Sequence, residues 1–312
     1  RVRNDFTTTK HCHSIMNYQI TLKPQVLKII PQVITHTKSD KIYAFDMDGT
    51  LIQTKGRSRF AVSADDWKWF KPKKTSDNQH ETMFSLILSI LKKDPQSKII
   101  IFSNQGGIRP MNFGVNASYN STKTENLESQ KHLDKKLLVI IDKVMKLLKS
   151  FYEELTEERV FFYCSFKNPL PKNEKERKLH ASNKPNKKVF SFDKILKKKL
   201  NEPKVAEESN YFHDIQDCQV KYKNHKLFIN QFNSLDEYKL NNILKFDTYR
   251  KPSTGMLEEF YNDIEDEANI EYFVGDAAGR KNDFSDSDKV FAENGKLKFY
   301  TPEELFSLHL ID

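Results

Sequence analysis

Residues 43–51 read YAFDMDGTL, an apolar run that ends in two aspartates, a glycine and a threonine. The run is typical of a buried strand, and Gly49 lets the backbone turn directly after it, so that Asp46 and Asp48 can face one site. One carboxylate placed in this way can attack an electrophile while the other handles protons. A strand followed by an ordinary acidic turn is the alternative for the D-x-D pair alone.

Three further apolar runs precede residues that carry chemistry, at Ile99–Phe102, Phe161–Phe166 and Tyr272–Val274. Periodic apolar positions predict helices at Met83–Leu91 and Leu137–Phe151, and Thr301 followed by Pro302 predicts a short final helix. Strands that alternate with helices imply an α/β fold with a doubly wound, mostly parallel sheet. In such sheets ligands bind at the carboxyl ends of the strands, which is where the chemically important residues fall.

Phosphoryl transfer needs hydrogen-bond donors, a cation and a divalent metal ion. Side chains of these kinds follow the predicted strands or lie in nearby loops: Ser103 and Asn104, then Lys251, then Asp276 with Asp283, Asp286 and Asp288. Carboxylate oxygens are hard ligands of the kind that Mg²⁺ takes. Each signal alone fits a turn or a surface residue, but together and in this order they indicate a phosphate-handling site.

The order Asp-x-Asp-Gly-Thr, Ser-Asn, Lys and Gly-Asp resembles the haloacid dehalogenase superfamily. Four segments look like the phosphatase domain of polynucleotide kinase 3′-phosphatases, namely ADDW at 64–67, FSNQGG at 102–107, RKPSTGM at 250–256 and GDAAGRKNDFS at 275–285. The resemblance covers residues 41–109 and 249–306. It is closest to the single-domain fungal DNA 3′-phosphatases, because the sequence contains no G-x-x-x-x-G-K-[ST] phosphate-binding loop. A missing kinase half and no use of ATP are therefore expected.

Carried over residue by residue, the resemblance implies a role for each motif position. Asp46 is expected to be the nucleophile, and Asp48 the general acid of the first step and the base of the second. Ser103 and Lys251 are expected to hold the transferring phosphate. The implied Mg²⁺ ligands are an oxygen of Asp46, the backbone carbonyl of Asp48, Asp276 and a further acidic residue, for which we choose Asp283 and keep Asp288 open.

The resemblance also implies a site without a large cap, which fits the short segment between Leu51 and Met83 and admits a polymer end. The candidate substrate-binding positions are Thr50, Asn104, Arg57, Arg59, Arg109 and Arg280, with Lys55 close to them in the sequence. Trp67 has two interpretations, since it can stack on a base or pack in the core.

The 312-residue chain has a net charge of +8, and the basic residues are concentrated in one segment. Residues 167–204 contain thirteen Lys or Arg against four Asp or Glu, an excess larger than that of the whole chain. We predict insertions at 110–131, which is rich in Asn, Ser and Thr, and at 167–245. The basic part is either a solvated loop or a nucleic-acid-binding arm.

The expected organisation is an N-terminal extension at residues 1–40 and one haloacid dehalogenase-like phosphatase domain at 41–312. The three cysteines are far apart and lack C-x-x-C spacing, which argues against a disulfide framework or a zinc site. No run approaches the roughly 20 apolar residues of a membrane helix. Residues 1–15 are either a weak organelle-targeting segment or sequence upstream of a start at Met16.

Three functions fit these observations. The first is a magnesium-dependent polynucleotide 3′-phosphatase that acts on DNA with 3′-phosphate ends, at single-strand breaks, gaps and double-strand ends. The second is a phosphatase of a small phosphorylated metabolite, and the third is a non-catalytic module that binds DNA ends. The first is favoured by the resemblance and the localised basic charge, and it implies a monomer located in the nucleus, with a mitochondrial fraction if residues 1–15 are a targeting segment.

Overall fold

The computed structural model describes residues 16–23, 25–58, 60–72, 81–108, 135–167, 217–222, 225–230, 247–265 and 268–308. At 217–222 and 225–230 only the backbone is described. The predicted insertion at 110–131 and nearly all of the basic segment at 167–204 therefore lie outside the described residues.

Nine of the strands in the described residues form one sheet, and two form a separate hairpin. The strands are β1 (Tyr18–Leu22), β2 (Val26–Pro31), β3 (Lys41–Phe45), β4 (Ile52–Gln53), β5 (Lys68–Trp69), β6 (Lys98–Gln105), β7 (Val160–Phe166), β8 (Asp217–Tyr222), β9 (His225–Asn230), β10 (Asn269–Val274) and β11 (Phe299–Tyr300). The order across the large sheet is β11-β10-β3-β6-β7-β2-β1-β9-β8, and β4 pairs with β5.

The four predicted strands correspond to β3, β6, β7 and β10, which lie next to one another and pair in parallel. This confirms the prediction of an α/β fold with a mostly parallel sheet. Phe45 pairs with Val274 on one side, so β3 and β10 end level, and with Ile101 on the other, where β6 continues past this level to Gln105. The residues that follow these ends are brought together at one edge of the sheet.

The segment before residue 41, predicted to be an N-terminal extension, contributes two strands to the large sheet. The strands β1 and β2 form an antiparallel hairpin, and β2 pairs antiparallel with β7. The buried side chains of this hairpin include Ile20, Leu22, Val26, Leu27 and Ile29, whose apolar surface stabilises the pairing. The described part of the N-terminal segment therefore belongs to the central sheet.

The described α-helices include both helices that the apolar periodicity predicts. The helices with described bounds are α1 (Met83–Lys93), α2 (Lys135–Leu155), α3 (Gly255–Ile264), α4 (Ser287–Asn294) and α5 (Pro302–Leu308). At the start of α1, the Thr82 hydroxyl accepts a hydrogen bond from the Ser85 backbone N–H and caps the helix. Among the described helices, none has the length and the apolar composition that crossing a bilayer requires.

Helices cover both faces of the sheet. Successive strand residues point to opposite faces, so neighbouring residues of one strand belong to different cores. Phe45 and Ile101 belong to a core that includes buried side chains of α1, α2 and α5. Ala44 and Ile100 belong to a second core, together with buried side chains of α3 and α4. The central strands are buried on both faces, and their carboxyl ends are left as the place where polar side chains can gather.

A buried ionic network joins the N-terminal hairpin to α3. Lys28 on β2 forms ion pairs with Glu259 at 2.9 Å and with Asp263 at 2.5 Å, and Lys23 also pairs with Glu259. The Tyr163 hydroxyl donates a hydrogen bond to Asp263 at 2.9 Å. These contacts fix α3 against the sheet, and α3 begins four residues after Lys251.

Candidate active site

Asp46 is the first residue after β3 and is almost completely buried. Its backbone N–H donates to the carbonyl of Val274 at 2.8 Å, and its Oδ1 lies 2.6 Å from Nζ of Lys251. Burial raises the pKa of the Asp46 carboxyl well above its usual range; Lys251 opposes the rise, and the neighbouring Asp288 and Asp276 add to it. A second cation near these carboxylates would favour their ionised forms.

The turn after Asp46 depends on Gly49. Gly49 has φ of +95°, which is unfavourable for a residue with a side chain, and a Cβ at this position would lie 2.5 Å from Oδ2 of Asp276. The Gly49 N–H donates to the carbonyl of Ile52 at 2.8 Å, which closes the turn. Glycine is therefore required both for the turn and for the close approach of the Asp276 carboxylate.

Asp48 lies in the same turn, and its side chain is 17% exposed. Gln105 Nε2 donates to Asp48 Oδ2 at 2.6 Å, and Lys143 Nζ lies 3.1 Å from Asp48 Oδ1. Gln105 also donates to the Ser103 hydroxyl at 2.9 Å. The carboxyl that is expected to handle protons is thus held by one donor on each oxygen.

Lys251 is fully enclosed between two carboxylates. Its Nζ lies 2.6 Å from Oδ1 of Asp46 and 2.7 Å from Oδ1 of Asp288, and the residue is 3% exposed. Burial alone lowers the pKa of the Lys251 ammonium, but Asp288 and Asp46 outweigh it and raise the pKa. Lys251 therefore stays charged beside the expected nucleophile.

Asn104, predicted to bind the substrate, holds the backbone of Lys251. Asn104 Nδ2 donates to the carbonyl of Lys251 at 2.9 Å, and its Oδ1 accepts from the Lys251 N–H at 2.9 Å and from the Ser165 hydroxyl at 2.8 Å. These three bonds engage the amide side chain on both of its ends. The structure therefore gives Asn104 the role of positioning the lysine.

Three carboxylates can hold a metal ion at this edge of the sheet. One oxygen from each of Asp46, Asp276 and Asp288 lies within 4.8 Å of the other two. Of the two acidic candidates in the last motif, Asp288 thus joins the cluster, whereas our choice was Asp283. Asp288 stands in the first turn of α4, where its Oδ2 accepts from the Ala277 N–H at 3.0 Å and its side chain is directed toward Gly275.

Asp283 is occupied in stabilising its own loop. Its carboxylate accepts hydrogen bonds from Arg280 Nε and from the backbone N–H groups of Ala278 and Arg280. Partial burial raises the pKa of the Asp283 carboxyl, but these bonds outweigh it and lower the pKa. The sequence spacing did not separate the two aspartates, because it does not show which of them the start of α4 turns toward Asp46.

Replacement of Asp288 is expected to weaken metal binding much more than replacement of Asp283. In Asp288→Asn the cluster loses a charged oxygen, and we expect the Mg²⁺ concentration for half-maximal activity to rise by about 10- to 100-fold. Asp283→Asn, the matched control, should leave Mg²⁺ binding unchanged and lower the thermal stability through its lost loop bonds. Calorimetric titration with Mg²⁺ measures both variants, and a larger loss of affinity in Asp283→Asn would reverse the assignment.

The remaining candidate substrate contacts differ in their placement. Thr50 is fully buried, and its hydroxyl has no hydrogen-bond partner among the described residues. Arg57 and Lys55 are exposed, while Arg59 and Arg109 lie outside the described residues. Arg280 is engaged with Asp283, Glu303 and the carbonyl of Asp276.

Trp67 packs against the core, which is the second of the two interpretations that the sequence allowed. It is partly buried against the core, its Nε1–H donates to the carbonyl of Ala64 at 3.0 Å, and its ring contacts Trp69 edge to face with the centroids 5.2 Å apart. Packing accounts for this side chain.

Two residues at the site were not predicted from the sequence. Gln105 lies two residues beyond Ser103 on β6, so both side chains are on the same face of the strand, a signal that the alternation of a strand provides. Lys143 lies between Ile140 and Leu147 on the buried side of α2, where a lysine is unusual. A charged residue inside an apolar helical stripe is the signal that could have identified it.

An aspartate at a strand end, a buried lysine beside it and a cluster of carboxylates are the groups that phosphoryl transfer to a carboxylate needs. The chain belongs to the polynucleotide kinase 3 phosphatase family, whose sequence model matches residues 41–306. The match confirms the predicted family and extends across the region between the two segments that carry the resemblance.

Curated relatives agree with this family. The chain is 28% identical over 307 residues to the polynucleotide 3′-phosphatase of Saccharomyces cerevisiae, which covers 93% of this chain and 99% of the relative. It is 27% identical over 311 residues to the polynucleotide 3′-phosphatase of Saccharomyces mikatae, with 93% and 96% covered. A shorter match, 48% identical over 66 residues, links 20% of this chain to 10% of the polynucleotide 3′-phosphatase ZDP of Arabidopsis thaliana.

Proposed function

We propose that this chain is a polynucleotide 3′-phosphatase that removes the 3′-phosphate from DNA strand breaks and leaves the 3′-hydroxyl that repair needs. The observation that carries the proposal is the placement of Asp46 beside Lys251 and within the carboxylate cluster, at the carboxyl ends of β3 and β10. The family match and the names of the two yeast relatives supply the substrate class.

In the first step Asp46 acts as the nucleophile. One of its oxygens forms a bond to phosphorus while the bond from phosphorus to the 3′-oxygen breaks, and Asp48 gives its proton to that departing oxygen. Lys251 offsets the negative charge of the transferring phosphate, and the Ser103 hydroxyl donates to one of its oxygens. The products are the 3′-hydroxyl and an aspartyl phosphate on Asp46.

In the second step Asp48, now a carboxylate, accepts a proton from an incoming water. The water oxygen bonds to phosphorus, the bond to Asp46 breaks, and inorganic phosphate leaves. Asp46 is then free as a carboxylate, and Asp48 again carries the proton that the next cycle needs. The two aspartates therefore complete the reaction with no net change of their own.

The residues at this edge of the sheet fit a Mg²⁺ ion. Asp46, Asp276 and Asp288 offer hard oxygens within 4.8 Å of one another, which is the chemistry that Mg²⁺ prefers. The bound ion would hold the phosphate in place and neutralise part of its charge. Ca²⁺ takes the same kinds of ligand, so the choice of Mg²⁺ rests on the family resemblance.

The finer features of the proposal follow from the same resemblance. The sheet is proposed to be of the doubly wound haloacid dehalogenase type, which agrees with parallel central strands and helices on both faces. The substrates are DNA single-strand breaks, gaps and double-strand ends with a 3′-phosphate. The protein is proposed to act as a monomer in the nucleus and without ATP.

The substrate is tested by comparing a 3′-phosphorylated oligonucleotide with the same oligonucleotide phosphorylated at its 5′ end and with a panel of phosphorylated metabolites. We expect kcat/KM for the 3′-phosphate to exceed that for every other substrate by at least about 10²-fold, because contacts to the strand add to the contacts with the phosphate. Asp46→Asn serves as the control for contaminating phosphatases. Faster hydrolysis of a metabolite would support the alternative of a small-molecule phosphatase.

A further inference from the structure

A buried lysine on α2 contacts the proposed general acid. Lys143 is 2% exposed, and its Nζ lies 3.1 Å from Asp48 Oδ1. The other oxygen of Asp48 accepts a hydrogen bond from Gln105 Nε2 at 2.6 Å. Two elements that are far apart in the sequence, α2 and β6, thus each place one donor on the same carboxyl group.

The buried position of Lys143 destabilises the folded state unless its ammonium group has a charged partner. Burying an ammonium group removes it from water, which destabilises the folded state unless an opposite charge lies close by. Among the residues that the structure describes, Asp48 is the carboxylate that forms an ion pair with Lys143. The neighbours of Lys143 on the same side of the helix, Ile140 and Leu147, are buried and apolar, so the lysine interrupts an apolar face of α2.

Gln105, the second residue that holds Asp48, also contacts a residue that is expected to bind the phosphate. Gln105 Nε2 contacts both Asp48 and the Ser103 hydroxyl, so the carboxyl is tied to the residue that is expected to bind the phosphate. A carboxyl group can otherwise rotate about its Cβ–Cγ bond. With one donor on each oxygen, its plane is fixed and an unused lone pair of one oxygen is left to carry the proton.

We propose that Lys143 is a positioning residue for Asp48, which aims the acid proton at the departing oxygen and stabilises the carboxylate that forms when the proton leaves. This inference rests on the proposed roles of Asp46 and Asp48. As the bond from phosphorus to the leaving oxygen breaks, its electron pair goes to that oxygen and takes the proton of Asp48. The carboxylate that Asp48 then forms lies beside Lys143, as in the ion pair that the structure shows.

If Lys143 positions the acid, its replacement should slow the release of poor leaving groups more than that of good ones. A phosphate ester of a sugar or another alcohol has a strongly basic alkoxide as its leaving group, which needs a proton from the acid. The leaving group of p-nitrophenyl phosphate is a weakly basic phenolate, which leaves without one. In Lys143→Met we expect the single-turnover rate of leaving-group release to fall about 10²-fold with a 3′-phosphorylated oligonucleotide. The loss with p-nitrophenyl phosphate should be at least about tenfold smaller, because only the acid-dependent part of the barrier is affected.

The experiment uses the full chain in excess over substrate, so that only the first chemical step is followed. Lys149→Met is the matched control, since Lys149 is an exposed lysine on the same helix that pairs with Glu153. Circular dichroism and thermal unfolding establish that each variant is folded. If Lys143→Met does not fold, Lys143→Gln, which keeps a hydrogen-bond donor without the charge, is measured in the same way and is expected to lose activity in the same leaving-group pattern.

A double-mutant cycle shows whether Lys143 acts through Asp48. In an Asp48→Asn background, Lys143→Met should cause little further loss on the oligonucleotide, because the acid that it positions is already gone. Equal losses on both substrates, no loss on the oligonucleotide, or full additivity with Asp48→Asn would each overturn the proposal.

The test separates this inference from the proposed substrate. If the wild-type chain hydrolyses p-nitrophenyl phosphate but not the oligonucleotide, the proposed substrate is wrong. The role of Lys143 is then decided with glycerol 3-phosphate, whose leaving group is also an alkoxide. A leaving-group effect on that ester supports the role of Lys143, and its absence contradicts it.

Discussion

Asp46→Asn is expected to remove 3′-phosphatase activity almost entirely. The amide is not a nucleophile toward phosphorus, and it also removes a charged oxygen from the carboxylate cluster, so kcat should fall on the order of 10⁵-fold or more. Steady-state release of phosphate from a 3′-phosphorylated oligonucleotide measures the effect. A variant with a tenth of the wild-type rate would contradict the assignment of Asp46.

The fold should tolerate this substitution. Asp46 is surrounded by the like charges of Asp276 and Asp288, so a neutral side chain relieves repulsion, and Lys251 keeps Asp288 as a partner at 2.7 Å. We expect a thermal midpoint close to that of the wild type. Asp65→Asn is the matched control, because Asp65 is exposed and pairs with Lys146 on the surface, and it should retain full activity.

Removal of divalent metal is expected to have the second large effect. EDTA should stop the reaction and added Mg²⁺ should restore it, because Asp46, Asp276 and Asp288 together need a cation beyond Lys251. Steady-state rates before chelation, after chelation and after addition of Mg²⁺ measure the loss and the recovery.

Mg²⁺ binding should also be visible without turnover. An ion that binds the folded state stabilises it, so the thermal midpoint should rise as the Mg²⁺ concentration increases. The rise should be smaller in Asp276→Asn, which lacks one of the three carboxylates, and unchanged in Asp65→Asn. A rate that is insensitive to EDTA, or a midpoint that Mg²⁺ does not move, would show that the cluster is not a metal site.

The strand ends were the most predictable part of this protein. A buried parallel strand is a continuous apolar run, so β3, β6 and β10 are visible in the sequence together with the residues that follow them. Because parallel strands end at one edge of a sheet, it could be expected that Asp46 and Asp276 gather there, whereas Lys251 lies in a turn before α3 and was placed at the site by the family resemblance. The turn after Asp48 was also predictable, because a glycine such as Gly49 readily takes the positive φ that the turn requires.

Contacts that depend on distant elements were less predictable. The strands β1 and β2 have apolar runs of their own, but the pairing of β2 with β7 joins segments more than one hundred residues apart, and local patterns contain no information on that pairing. The contact of Lys143 with Asp48 spans 95 residues and depends on how α2 packs on the sheet. The choice between Asp283 and Asp288 depended on the first turn of α4, which sequence spacing does not resolve.

If Asp46 carries the phosphate between the two steps, acid quenching should trap the phosphorylated protein. The wild-type chain is mixed with an oligonucleotide whose 3′-phosphate is labelled with ³²P, denatured in acid within the first turnover and analysed by peptide mapping. We expect label on the peptide that contains Asp46, sensitive to hydroxylamine as an acyl phosphate is, and none in Asp46→Asn. Release of labelled phosphate without labelled protein at any time, or label on a different residue, would contradict it.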